Sequence, residues 1–165
     1  MKFSVKFKAD DVRKMFKDLK KEFRDGADGA RAGYYEGEHY KDEDDKGKEM
    51  PLLSDIALYN EFGTETIPSR PFLRNAEAKI QERAEEIVKA GIEDGKTLNR
   101  IIHEVAEDMR NQIVESITSN TPPPNKPSTI RQKKGSTGTL RDTGQLRDSV
   151  HIALVKDGQE KPIGK

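Results

Sequence analysis

The sequence predicts an α+β fold: a small antiparallel sheet packed by several helices, with a long flexible loop before the last strand. Three observations carry this. Both ends of the chain show period-2 alternation, Phe3, Val5 and Phe7 at the start and Val150, Ile152 and Leu154 near the end, as half-buried strands do. Two long runs in the middle repeat apolar residues every three or four positions, the spacing of helices that bury one face. Between the second run and the last strand, half of the eight prolines fall within residues 122–127, in a polar stretch bearing glycines.

Taken in order, the first alternating run leads to Asp10, which can cap a helix carrying Val12, Met15, Phe16, Leu19 and Phe23 on one side and stopping near Gly26. Residues 30–40 hold Tyr34, Tyr35 and Tyr40 and read as a strand. A polar excursion over 41–50 follows and is expected to be flexible. Ser54 is placed to cap a short helix with Ile56, Ala57, Tyr59 and Phe62 on one face, ended by Gly63.

From Pro71 a longer helix turns Leu73, Ala76, Ile80, Ala84, Ile87 and Val88 inward, and the segment from Gly91 to Gly95 breaks it. Thr97 can cap the next, whose Leu98, Ile101, Ile102, Val105, Met109, Ile113 and Ile117 follow the helical period. These two helices are expected to carry most of the core. Residues 120–142 have few ways to bury apolar area and are expected to be flexible or to order against a partner. Every Phe and Tyr lies at or before Phe72, which leaves the C-terminal part only aliphatic material for packing. A chain of 165 residues fits one domain.

Composition excludes several classes of function. Thirty basic side chains balance thirty acidic ones, so no overall field draws the chain to nucleic acid. Without cysteine there are no disulfides or thiolate metal sites, in keeping with a reducing cytosol. No run approaches the roughly 20 apolar residues of a membrane span, and the N-terminus lacks the apolar stretch of a signal peptide. Asp42-Glu43-Asp44-Asp45-Lys46-Gly47 begins like a calcium loop, but Lys46 and Leu53 stand where two carboxylate ligands are needed. His39, His103 and His151 are too far apart in sequence for a local metal pair, and no serine sits in a recognisable nucleophile motif. Neither catalytic residues nor a cofactor are expected.

The most informative stretch runs from Tyr59 to Arg74. It joins a short helix, a glycine stop, an extended link and a new helix start, so Tyr59, Glu61, Phe62, Gly63, Arg70, Pro71, Phe72 and Arg74 form a structural corner. Glu61 is expected to pair with Arg70 and Arg74, four apart on the second helix, with Phe62 and Phe72 as apolar anchors. Such a group serves internal packing or a subunit contact. Asp142, Thr143 and Gly144 read as a turn that leads back into the sheet. Arg131, Lys133, Lys134 and Arg141, with Arg147 beyond them, make a basic arm over 131–147 that can reach phosphates or an acidic protein.

Tyr59-Asn60-Glu61-Phe62-Gly63-Thr64 followed by Pro68-Ser69-Arg70-Pro71-Phe72-Leu73-Arg74 resembles the neck and tail-completion proteins of long-tailed phages and prophages, the virion-morphogenesis family with its Mu-like members. Thr121-Pro122-Pro123 and the later Leu140-Arg141-Asp142-Thr143-Gly144-Gln145-Leu146-Arg147-Asp148-Ser149-Val150 are similar to that family's C-terminal pattern. The resemblance implies a non-enzymatic subunit that completes the tail or joins it to the head. It further implies a homo-oligomeric ring, other neck or tail proteins as partners, no membrane, and a location in the virion after assembly in the host cytoplasm. The alternative expectation is a DNA-associated protein using the basic arm.

Overall fold

A computed structural model of the chain describes residues 26–41, 49–133 and 137–163, together with Lys14, Lys17, Asp18 and Lys21, which are helical. The strand expected over Phe3 to Phe7, the helix core from Val12 to Phe23, the acidic run 42–48 and Lys134 lie outside the described residues. The elements are β1 (Gly29–Gly33), α1 (Leu53–Phe62), α2 (Phe72–Glu93), α3 (Leu98–Thr118), α4 (Pro127–Gln132), α5 (Gln145–Asp148), β2 (His151–Lys156) and β3 (Gln159–Pro162). The fold is α+β, with a three-stranded antiparallel sheet in the order β1-β2-β3 and helices packed on it.

The sheet departs from expectation at both ends. β1 stops at Gly33 instead of running to Tyr40, and Gly37 turns the chain at φ +85°. His39 then makes an isolated bridge to Leu52. Tyr34 leaves the sheet because its ring and hydroxyl find separate partners: the ring meets Phe72 edge-on at 6.5 Å, and the hydroxyl donates to the Leu146 carbonyl at 3.0 Å. The closing element is a hairpin where a single strand was expected. Asp157 and Gly158 both have positive φ, as a two-residue hairpin turn requires, and β3 pairs back on β2 from Lys156↔Gln159 to Ala153↔Pro162.

α2 and α3 run antiparallel, with Lys79 against Glu115 and Arg83 against Asp108 across their length. Thr97 caps α3 as expected, its hydroxyl accepting from the Arg100 amide at 3.3 Å. α2 ends at Glu93, inside the expected break from Gly91 to Gly95, and Gly95 takes φ +68°; Gly91 itself is still helical and does not mark the end. It is buried instead, because a Cβ there would sit 2.6 Å from Ile101 Cγ1, so glycine is what lets the two backbones approach. Val88, expected inside, is exposed.

Phe72 and Ala76 of α2 and Ile113 and Ile117 of α3 form the core cluster together with Ala57, Leu140, Leu146 and Val150. The two long helices thus share the core with α1 and the C-terminal segment. Among the described residues Phe72 is the only aromatic in that buried cluster, and the residues packed from beyond Thr121 are aliphatic. No helix among the described residues is long and apolar enough to cross a membrane.

Candidate functional site

The corner is built by carbonyls that need donors and amides that need acceptors. α1 ends at Gly63, whose amide donates to the Tyr59 carbonyl at 2.9 Å and whose φ is +80°. A side chain there would place Cβ 2.8 Å from the Ser69 amide nitrogen, so the position excludes every residue but glycine. Thr64 folds the link tightly, its hydroxyl oxygen accepting from the amides of Thr66 and Ile67. The chain then returns along the last turn of α1. The Arg70 amide donates to the Asn60 carbonyl at 2.6 Å, and the Ser69 hydroxyl and Arg74 Nη2 both donate to the Glu61 carbonyl. Carbonyls that a helix end would leave open are thereby filled.

Glu61 performs the reciprocal task for α2, whose own N-cap, Pro71, supplies no side-chain hydrogen bond. The Glu61 carboxylate accepts from the Leu73 amide at 2.8 Å, the Arg74 amide at 3.2 Å and Arg74 Nε at 2.9 Å, and the residue is 2% exposed. A buried negative charge at a helix N-terminus is stabilised by both the amides and the dipole. Ser54 was expected to cap α1; that helix begins two residues earlier, with Leu52 in the N-cap position, and no side chain caps it.

Two further expectations for the corner change. Arg70 precedes α2 and does not pair with Glu61, so only Arg74 forms the predicted ion pair. Phe62 is not a buried anchor: it is 64% exposed, with the Arg74 guanidinium 5.4 Å from its ring centre. The reason is rotational. Glu61 takes the inward position on α1, which turns Phe62, Leu58 and Tyr59 outward. Phe72, the other anchor, is fully buried as expected.

Arg70 reaches across to the proline-rich arm. It is 6% exposed, and its Nε donates to the Pro123 carbonyl at 2.9 Å and its Nη2 to Asn125 Oδ1 at 3.0 Å. Asn125 passes the connection on, donating to the carbonyls of Thr137 and Gly138. Little of this stretch is buried, in keeping with its composition: residues 127–132 form α4, which buries no side chain, while Thr121 and Leu140 are buried. Polar clamps, which a count of apolar residues overlooks, hold the segment against the body. Lys133 donates to the carbonyls of Gly138 and Arg141, and Arg141 Nη2 to Asn120 Oδ1 at 3.3 Å. Arg131 is exposed. Burial pushes Lys133 below the ordinary lysine range, and burial also lowers Arg70.

The predicted turn has Gly144 at φ +91° and opens into α5 before the chain reaches β2, so it does not lead straight into the sheet. Thr143 Oγ1 lies 3.1 Å from the Tyr40 hydroxyl. Gln145 holds residue 41 at both ends of its amide, with Lys41 N donating to Oε1 and Nε2 donating to the Lys41 carbonyl, each at 2.7 Å. Corner, arm and turn therefore meet around one groove of about 470 Å³, bordered by Pro68 and Arg70 from the first, Pro123 and Lys133 from the second, and Thr143 and Gly144 from the third. Asn125 and Gln145 were not singled out in the sequence; the only cue was that each follows a turn-forming segment.

Away from the groove, His151 is buried, its Nε2 2.8 Å from Glu38 Oε2 and its ring stacked on Tyr35 at 4.5 Å. Among the described residues no three carboxylate or histidine side chains converge as a metal site. Comparison with known proteins yields no match to a family model, to a curated protein or to a solved structure.

Proposed function

We propose that this chain is a non-enzymatic structural subunit of a phage or prophage particle, completing the tail or joining it to the head. The observation that supports this best is the meeting of the two sequence stretches that carry the resemblance. Far apart in the chain, they share the Phe72 core and border one groove. Most of their polar groups are engaged in fixing backbone: Glu61 caps α2, Arg70 holds Pro123, and Gln145 holds Lys41. Such residues shape a subunit rather than turn over a substrate.

α1 meanwhile presents Leu58, Tyr59 and Phe62 outward, with Arg74 beside Phe62. Aromatic residues and arginine are enriched where subunits bind most strongly, and a second copy meeting this face through a different surface generates a ring when the rotation between copies closes. The DNA-associated reading draws less support. Lys133 and Arg141 donate to oxygens of their own segment and of Asn120, which leaves them less to offer phosphates.

The test is genetic and structural. Deleting the gene from the prophage that carries it should leave filled heads separate from tails, or tails with unfinished ends, in negative-stain micrographs of the lysate. The protein should also be detected in purified complete particles. Normal infectious particles from the deletion strain would overturn the reading.

A further inference from the structure

The groove's charges are out of balance with its walls. Pro68, Pro123 and Leu140 make much of it apolar, yet among the described residues three cations, Arg70, Lys126 and Lys133, line it with one carboxylate, Asp142. The two recessed cations rest on neutral oxygens: Arg70 on Pro123 O and Asn125 Oδ1, Lys133 on the carbonyls of Gly138 and Arg141. Burial disfavours the charge on both, Asp142 partly offsets this at Lys133, and the nearby charge of Arg70 adds to it there. A guanidinium bonded only to neutral oxygens recovers less of its lost hydration than one facing an anion. The site is thus electrostatically suited to receive negative charge.

We propose that this groove receives an extended, carboxylate-bearing peptide segment of a partner protein, an acidic side chain facing Arg70 and Lys133 and apolar side chains lying on the proline wall. The volume lies within the range of about 300–1,000 Å³ typical of pockets that enclose a small ligand, enough for a few residues of peptide. A nucleic acid fits less well. Duplex phosphates are met by exposed cations, and Arg70 is recessed. Base stacking needs open aromatic faces, and Tyr40, the one aromatic at the groove among the described residues, has its hydroxyl beside Thr143. The inference needs no virion, so it stands or falls separately from the proposed role.

The experiment uses the purified full chain with a fluorescent octapeptide that alternates glutamate and leucine. Binding is read by anisotropy, and the side-chain Nε–H signal of Arg70 is followed by NMR. Saturable binding should shift that signal, and replacing the peptide's glutamates by glutamine should weaken binding roughly tenfold or more, as loss of charge-assisted hydrogen bonds does. Lys126→Glu, at an exposed position outside the core, should weaken it about two- to fivefold, as for a rim charge. Equal binding of the glutamine peptide, an unmoved Arg70 signal, or retention of a labelled DNA duplex with no binding of the acidic peptide would each overturn the proposal.

Discussion

The corner and the far end of the helical hairpin hold the same helix, α2, by opposite means. At the corner, α2 starts under a buried carboxylate, with three donors on Glu61 and a linker bonded back along α1. At the far end, α2 meets α3 through the close approach of Gly91 to Ile101, flanked by Lys96 and Arg100 both reaching Glu104 at 2.9 Å on the surface. The first is directional and dry; the second is steric and partly wet. Directional bonds fix an angle between elements, whereas the steric contact only fixes how closely two backbones lie. The groove stands beside the rigid end.

Removing the carboxylate is the strongest way to break this contrast. Glu61→Ala strips acceptors from two amides at the start of α2 and should cost about 2–4 kcal/mol, combining a lost cap with lost charge-assisted bonds. Glu61→Gln, which keeps an oxygen, should recover part of that. Urea unfolding measures both, and a cost below about 1 kcal/mol for the alanine variant would show that the corner does not depend on this residue.

The hairpin end should respond more mildly. Gly91→Ala gains about 1 kcal/mol of helix propensity but overpacks against Ile101, which typically costs about 1–3 kcal/mol, leaving a net loss of about 0–2 kcal/mol. Combined with Ile101→Ala, which empties the opposing space, its effect should shrink or change sign in a double-mutant cycle. Strict additivity would mean that the two residues do not oppose each other.

Acid should produce the smallest effect. The side-chain hydrogen bond from Lys96, joined by that from Arg100, holds the Glu104 carboxyl below its usual range, and Arg147 does the same for Asp148. Folding therefore favours the ionised forms. Their contribution is complete above the unfolded values near pH 4 and is lost as the pH falls through the lower folded values. The melting-temperature difference between the parent chain and Glu104→Gln should be constant near neutrality and shrink as the pH falls below the usual carboxylate range. A difference that grows on acidification would reverse the assigned sign.

Local signals in the sequence were good guides where one residue decides the outcome. Thr97 caps α3, Gly63 stops α1, and Phe72 anchors the core because a hydroxyl, a missing Cβ and a large ring act within a turn or two of where they stand. Periodicity was a weaker guide to which face turns inward. The short α1 can be rotated by a single strong bond, and Glu61 outweighs Phe62 for the inward position. The break within 91–95 was legible from its glycines, but the packing role of Gly91 was not, because its neighbour Ile101 is visible only once α3 folds back. Asp157-Gly158 is a hairpin signal available in the sequence, and the charged residues beyond it concealed β3. At the groove, the corner and turn were legible as motifs. Their meeting was not, since Arg70, Asn125 and Gln145 act over separations that no local pattern records.

The imported cap has a consequence for how this chain can be divided. A peptide of residues 72–93 contains all of α2 but none of its start signal, because the carboxylate that receives its first amides belongs to α1. Residues 53–93 contain both. For transplantation, recombination or truncation the indivisible module is therefore the helix pair with its linker, and a boundary drawn between Gly63 and Phe72 separates a helix from the residue that tells it where to begin.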